Sequence, residues 1–174
     1  MKQVTSHIRH STMRPRSLAV PLALTLTFLA AQPGTPVPAI FGNWKLNVAR
    51  SRYGGGAEVR KSETMTCGFD NDTHCSIVSE RANGKVVQMR FHAVANGVPG
   101  VVTGSDSLDQ VILKHVNEST LDATFLFDGK PVFAYRAVRA ADRKTLTITA
   151  VDTKTRAPLK SVVVYDAARG LTSP

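Results

Sequence analysis

From residue 41 onward, apolar and polar residues alternate with a period of two. In Lys85 to Ala95, Val87, Met89, Phe91 and Ala93 share one face, while Gln88, Arg90 and His92 share the other. In Lys144 to Val151, Leu146, Ile148 and Ala150 oppose Thr145, Thr147 and Thr149. Such alternation predicts strands with one buried face. Turn signals separate these runs at short, regular intervals: Asp70-Asn71-Asp72, Asn83-Gly84, Asn96-Gly97, Asp128-Gly129 and Asp142-Arg143. Asn-Gly is the strongest of them, because both residues tolerate the positive φ of a tight hairpin. The expected strands are Phe41 to Asn47, Ser62 to Phe69, Cys75 to Glu80, Lys85 to Ala95, Val98 to Thr103, Ser107 to His115, Thr120 to Phe127, Pro131 to Arg139, Lys144 to Val151 and Leu159 to Asp166. No stretch repeats apolar residues with a helical period over three turns. Consecutive hairpins without long crossovers predict an all-β fold: a single antiparallel up-and-down β-barrel of about eight to ten strands, over residues 40–166.

Residues 1–39 follow a different pattern. They hold no Asp or Glu, carry Lys2, Arg9, Arg14 and Arg16 near the start, and run apolar from Leu18 to Ala31. Pro33, Pro36 and Pro38 follow. A positive start, a short apolar middle and small residues at the exit predict a signal peptide. The apolar stretch is too short to cross a bilayer comfortably as a helix, so no stable membrane span is expected once the leader is cut. Cleavage fits after Ala31 or after Ala39, and Met13 would serve as an alternative start. The expected localisation is secreted or periplasmic. Residues 167–174 read as a flexible tail.

Charge changes the picture little. The formal net charge is +9, but the leader carries four of the 22 basic residues and none of the 13 acids, leaving +5 on the remainder. Those charges are scattered, without the basic runs and interleaved aromatics of a nucleic-acid surface, so no nucleic-acid partner is expected. The two cysteines, Cys67 and Cys75, flank the Asp70-Asn71-Asp72 turn. An even count in an exported chain favours a structural disulfide over free thiols, metal or redox chemistry.

The first strand carries a more specific signal. Phe41-Gly42-Asn43-Trp44-Lys45-Leu46-Asn47, with Ser51 and Tyr53 after it, resembles the opening of a group of small exported bacterial lipocalin-like proteins that start Phe-x-Gly-x-Trp-Lys-Leu-Asn and have no assigned activity. Asp142 to Thr149 resembles their Asp-Gly-Lys-Thr-Met-Thr-Ile-Thr hairpin, and Val162 to Asp166 their closing strand. The resemblance implies that Gly42 and Trp44 are structural, with the indole closing one barrel end. It also implies that an Arg from a late strand packs over that indole, either Arg136 or Arg139, with Arg136 better placed before the final hairpin. Arg143 stands where the group has Gly, so a positive φ there would be strained.

Catalytic and metal chemistry find little support. His92, His115, Asp106 and Asp109 have no spacing that forces them together, and His74 beside two cysteines is too few for a metal site. Ser105 lacks the strand-to-helix context of a hydrolase nucleophile. Gly54-Gly55-Gly56 opens no phosphate-binding helix. The expectation is therefore a non-catalytic protein without cofactor or metal. Two readings stay open. In one, the barrel binds a small apolar ligand lined by Met65, Ile77, Met89, Phe91, Leu126, Phe133 and Tyr135. In the other, those side chains fill the barrel, and the protein is an envelope structural or protein-interaction module.

Overall fold

The computed structural model describes residues 38–54 and 57–168; the leader through residue 37 and the tail from 169 lie outside the described residues. Ten strands follow one another: β1 Gly42–Leu46, β2 Arg60–Phe69, β3 Thr73–Arg81, β4 Val86–Ala93, β5 Asn96–Thr103, β6 Gln110–Asn117, β7 Thr120–Phe127, β8 Lys130–Arg139, β9 Thr145–Val151 and β10 Pro158–Ala167. Each pairs antiparallel with the next, and β10 pairs with β1, closing an up-and-down barrel. Closure leaves no free strand edge, which removes the usual template for edge-to-edge aggregation. Apart from a 3-10 turn at Val48–Arg50, no helix interrupts the described residues, and none among them is long and apolar enough to cross a membrane. The strand set expected from alternation is the set observed, with ends that coincide or move by up to three residues. Ala167, expected in the tail, belongs to β10 opposite Trp44.

Alternation sorts side chains between interior and surface. Cys67 and Met65 of β2, Phe91 and Ala93 of β4, Val111 and Leu113 of β6, and Leu121, Ala123 and Phe125 of β7 form the core. Phe125 sits at its centre, edge-on to Phe91 with centroids 5.7 Å apart and stacked on Phe133 at 4.7 Å. Tight turns connect the strands. Gly84 and Gly129 take positive φ, as do Asn71 and Asp128. Arg143 does so as well, at φ 57°, so the conformation expected to be strained for a residue with a side chain is present.

One end of the barrel is stoppered. Trp44 is 3% exposed, and its indole Nε1 donates to the carbonyl of Ile40 at 2.8 Å. That bond, with a turn from Phe41 N to Pro38 O, folds the chain entering β1 inward, so that Ala39 and Ile40 are wholly buried. Gly42 makes this entry possible: its φ of +131° is one that side-chain-bearing residues rarely adopt. The expected partner of Trp44 needs correction. Arg136 lies between Tyr135 and Ala137, both in the core, so alternation turns it outward. There it makes a bidentate pair with Asp122, the residue directly opposite on β7, at 2.8 and 2.9 Å. Arg139 shares the parity of Ala137 and is half-buried.

Asp122 also meets Arg156 at 3.3 Å. Burial pushes its carboxyl up, but the hydrogen bonds from Arg136 and the charges of both arginines outweigh this and hold it below the usual carboxylate range. The unfolded chain therefore takes up the proton first as the pH falls. This stabilisation is complete above the ordinary Asp value near pH 4 and is lost as the pH drops through the folded value. Asp122→Asn is expected to cost about 1–2 kcal/mol at pH 7. Urea denaturation of both proteins should show the difference shrinking as the pH is lowered below about 4; a difference that persists in acid would refute the ion-pair account.

Cys67 and Cys75 face each other across the β2–β3 hairpin and are joined by a disulfide. A structural disulfide fits an oxidising compartment. Closing a nine-residue loop is worth about 2.5 kcal/mol in the chain-entropy description. The double variant Cys67→Ser, Cys75→Ser is expected to lose about that much in chemical denaturation, and reductant should then affect wild type but not the variant.

Candidate functional site

Away from the Trp44 stopper, the barrel interior is not filled. A cavity of about 300 Å³ opens at the other end. Met65 of β2, Ile77 of β3, Met89 of β4, Phe125 of β7, and Phe133 and Tyr135 of β8 line its apolar wall. Ser105, Ser107 and Leu108, in the connection from β5 to β6, and the exposed Val132 form part of the rim. The volume lies at the small end of ligand cavities, which run to about 300–1,000 Å³.

Five of the seven residues expected to line a cavity are brought together in it: Met65, Ile77, Met89, Phe133 and Tyr135. Phe91 is not among them. It is buried below the cavity, packed against Phe125. Leu126 is a correction of the same kind. It follows Phe125, whose ring is in the core, so alternation points it the other way, and it joins neither the core cluster nor the cavity wall.

A polar pole stands against this apolar wall. Glu63 faces inward from β2, in phase with Met65 and Cys67, and its side chain is only 5% exposed. Its carboxylate accepts from Arg60 Nη1 at 2.7 Å, from the Tyr165 hydroxyl and from the Ser79 hydroxyl. Tyr165 OH is also 3.2 Å from Arg60 Nη1. Four residues from three strands are thus tied by one carboxylate, the arrangement a buried charge requires. Burial first, and the Glu63 charge second, push the Tyr165 and Tyr135 hydroxyls up, so both stay protonated. For Arg60, burial is the largest single influence and opposes the charge, but the charge and hydrogen bond of Glu63 together with the Tyr165 and Tyr53 hydroxyls outweigh it, and the guanidinium stays charged.

Arg81, on β3, lines the same pole and pairs with Glu58 at 2.7 Å. Among the described residues, Arg60 Nε and Arg81 Nε are buried without a hydrogen-bond partner. These are donors at the pole that no protein acceptor uses, and an unpaired buried donor is costly. Sequence reasoning missed Arg60, Glu63, Ser79, Arg81 and Tyr165. A signal existed: Glu63 is in phase with Met65 and Cys67, and Ser79 with Ile77 and Cys75, so polar groups stood on faces already assigned to the interior.

The arrangement can enclose an apolar body and orient one polar group. Glu63 is the one carboxylate lining the cavity among the described residues. His92, His115 and Asp106 form no shared cluster there, and the Ser105 hydroxyl accepts from the Ser107 amide. Compared with known proteins, the chain matches no family model, no curated protein and no solved structure.

Proposed function

We propose that this is an exported, non-catalytic, lipocalin-like protein that holds one small, mostly apolar molecule in the barrel. The observation that carries this reading is the cavity of about 300 Å³, walled by Met65, Ile77, Met89, Phe133 and Tyr135 and polar at one side. An interior meant only for stability would be packed to native density, because dispersion and burial are lost wherever side chains leave a void. The polar side, where Arg60, Ser79 and Arg81 line the cavity, suits a ligand with a single acceptor group at one end, which would fix its orientation. The leader, the disulfide and the resemblance of Phe41 to Tyr53 support an exported member of the lipocalin-like group, secreted or periplasmic.

The test is displacement of an environment-sensitive apolar fluorophore from the purified protein, alongside native mass spectrometry for a copurified molecule. One-to-one binding is expected for wild type. Ile77→Trp, which fills the cavity from its wall, should weaken it at least tenfold with the barrel still folded by circular dichroism. Absence of saturable binding by the wild-type protein would refute the carrier reading and leave the envelope interaction module in its place.

A further inference from the structure

A second cluster lies on the outer surface, at the stoppered end, away from the cavity. The turn between β2 and β3 carries Asp70 and Asp72, and β3 continues with His74. One ligand atom from each, two carboxylate oxygens and an imidazole nitrogen, lie within 4.8 Å of one another. His74 Nδ1 is 3.4 Å from Asp70 Oδ1 and 3.9 Å from Asp72 Oδ1. On the neighbouring strand, His92 stands directly opposite His74, with its Nδ1 3.4 Å from the other oxygen of Asp72. The Asp72 carboxylate therefore sits between two imidazoles.

These separations are informative. They exceed the ~2.7–3.2 Å of an N–H···O hydrogen bond. Two ligands each bound at about 2.0–2.2 Å to one tetrahedral ion, however, stand about 3.4 Å apart. His74 and Asp70 have that spacing, Asp72 is close enough to both to join them, and His92 stands beside the far oxygen of Asp72, outside the group. Three further features hold them there. The Cys67–Cys75 disulfide closes the loop that bears all three residues. The ladder between β3 and β4 fixes the register of the two histidines. The ring of His74 lies across Gly68, where an added Cβ would fall 1.9 Å from Nε2, so that Nδ1 is left to face the carboxylates. Half-exposure of His74 leaves the ion's remaining positions open to water.

We propose that Asp70, Asp72 and His74 bind a divalent transition-metal ion of the zinc type, and that His92 is a positioning residue holding the second Asp72 oxygen. The mixed nitrogen and oxygen set selects the chemistry: imidazole suits zinc, copper or nickel, whereas calcium and magnesium take oxygen ligands. A partner on the far side of a ligating group typically matters by about 10–100-fold in metal affinity.

Calorimetric titration of the purified, disulfide-intact protein with Zn²⁺ tests this. One saturable ion per chain is expected, with Ca²⁺ and Mg²⁺ unable to compete at equal concentration. His74→Ala and Asp72→Asn should each weaken binding at least tenfold, and His92→Ala about tenfold. All three side chains are at the surface, so the thermal midpoint of each variant should match wild type and rule out misfolding. With Co²⁺ at saturation, His92→Ala should keep the wild-type visible spectrum, because the ligands to the ion are unchanged, whereas His74→Ala should alter it. Absence of one-to-one Zn²⁺ binding, or binding unaffected by His74→Ala, would overturn the site. A changed Co²⁺ spectrum in His92→Ala would overturn the positioning role.

Discussion

Trp44→Ala is expected to lower the unfolding free energy by about 3–5 kcal/mol, the range for truncating a large buried aromatic. Trp44 is 3% exposed and packs at the closed end of the core. Truncation would leave a void and also release the carbonyl of Ile40, which the indole holds at 2.8 Å. The entering segment would then lose its anchor. Trp44→Phe separates the two contributions: most of the apolar surface stays, and the hydrogen bond goes, for a loss of about 1–2 kcal/mol. Since Trp44 is the single tryptophan of the chain, denaturation of the variants should be followed by far-ultraviolet circular dichroism. A cost below about 1 kcal/mol for Trp44→Ala would fall outside the range for a core aromatic and contradict the stopper.

The second large effect concerns the polar pole. Arg60→Met is expected to destabilise by about 2–3 kcal/mol. Breaking a buried ion pair by removing one partner costs roughly 3–5 kcal/mol, reduced here because the Arg60 side chain is 28% exposed. The damage comes from the Glu63 carboxylate left buried without its cation. Adding Glu63→Gln to Arg60→Met should therefore recover at least half of the loss, since a neutral amide accepts from one of the Tyr165 and Ser79 hydroxyls through its oxygen and donates to the other through its nitrogen. Urea denaturation of the single and double variants at neutral pH measures this coupling. If the double variant is less stable than Arg60→Met alone, charge imbalance is not the cause.

The strands were legible because interior and exterior alternate along much of their length and because hairpin turns need a few recognisable residues. Lys85 to Ala95 shows this: its apolar parity is the parity that is buried in β4. The cavity was legible as a face but not as a space. Met65, Ile77, Met89, Phe133 and Tyr135 could be assigned to the interior one strand at a time, yet whether they meet or leave a void depends on barrel circumference and register, which no single strand encodes. Leu126 shows the same limit at a strand end, where the β7–β8 register shifts between Phe125 and Leu126. The Glu63 cluster was harder still. Arg60 and Tyr165 are 105 residues apart in the chain, and only closure of β1 onto both β2 and β10 brings them together. The surface cluster follows the same rule. His74 and His92 lie on strands that alternation assigns to the surface, but their juxtaposition follows from the β3–β4 register.

Burial of Ala39 and Ile40 bears on maturation. A peptidase cutting after Ala39 would turn the amide of Ile40 into a free ammonium at a position with no solvent access, and an unpaired charge so placed costs several kcal/mol. It would also amputate Pro38, whose carbonyl receives the amide of Phe41. Were the leader cut as proposed, the exit after Ala31 would spare Pro38, Ala39 and Ile40 and so leave the bung in place, whereas the exit after Ala39 would not.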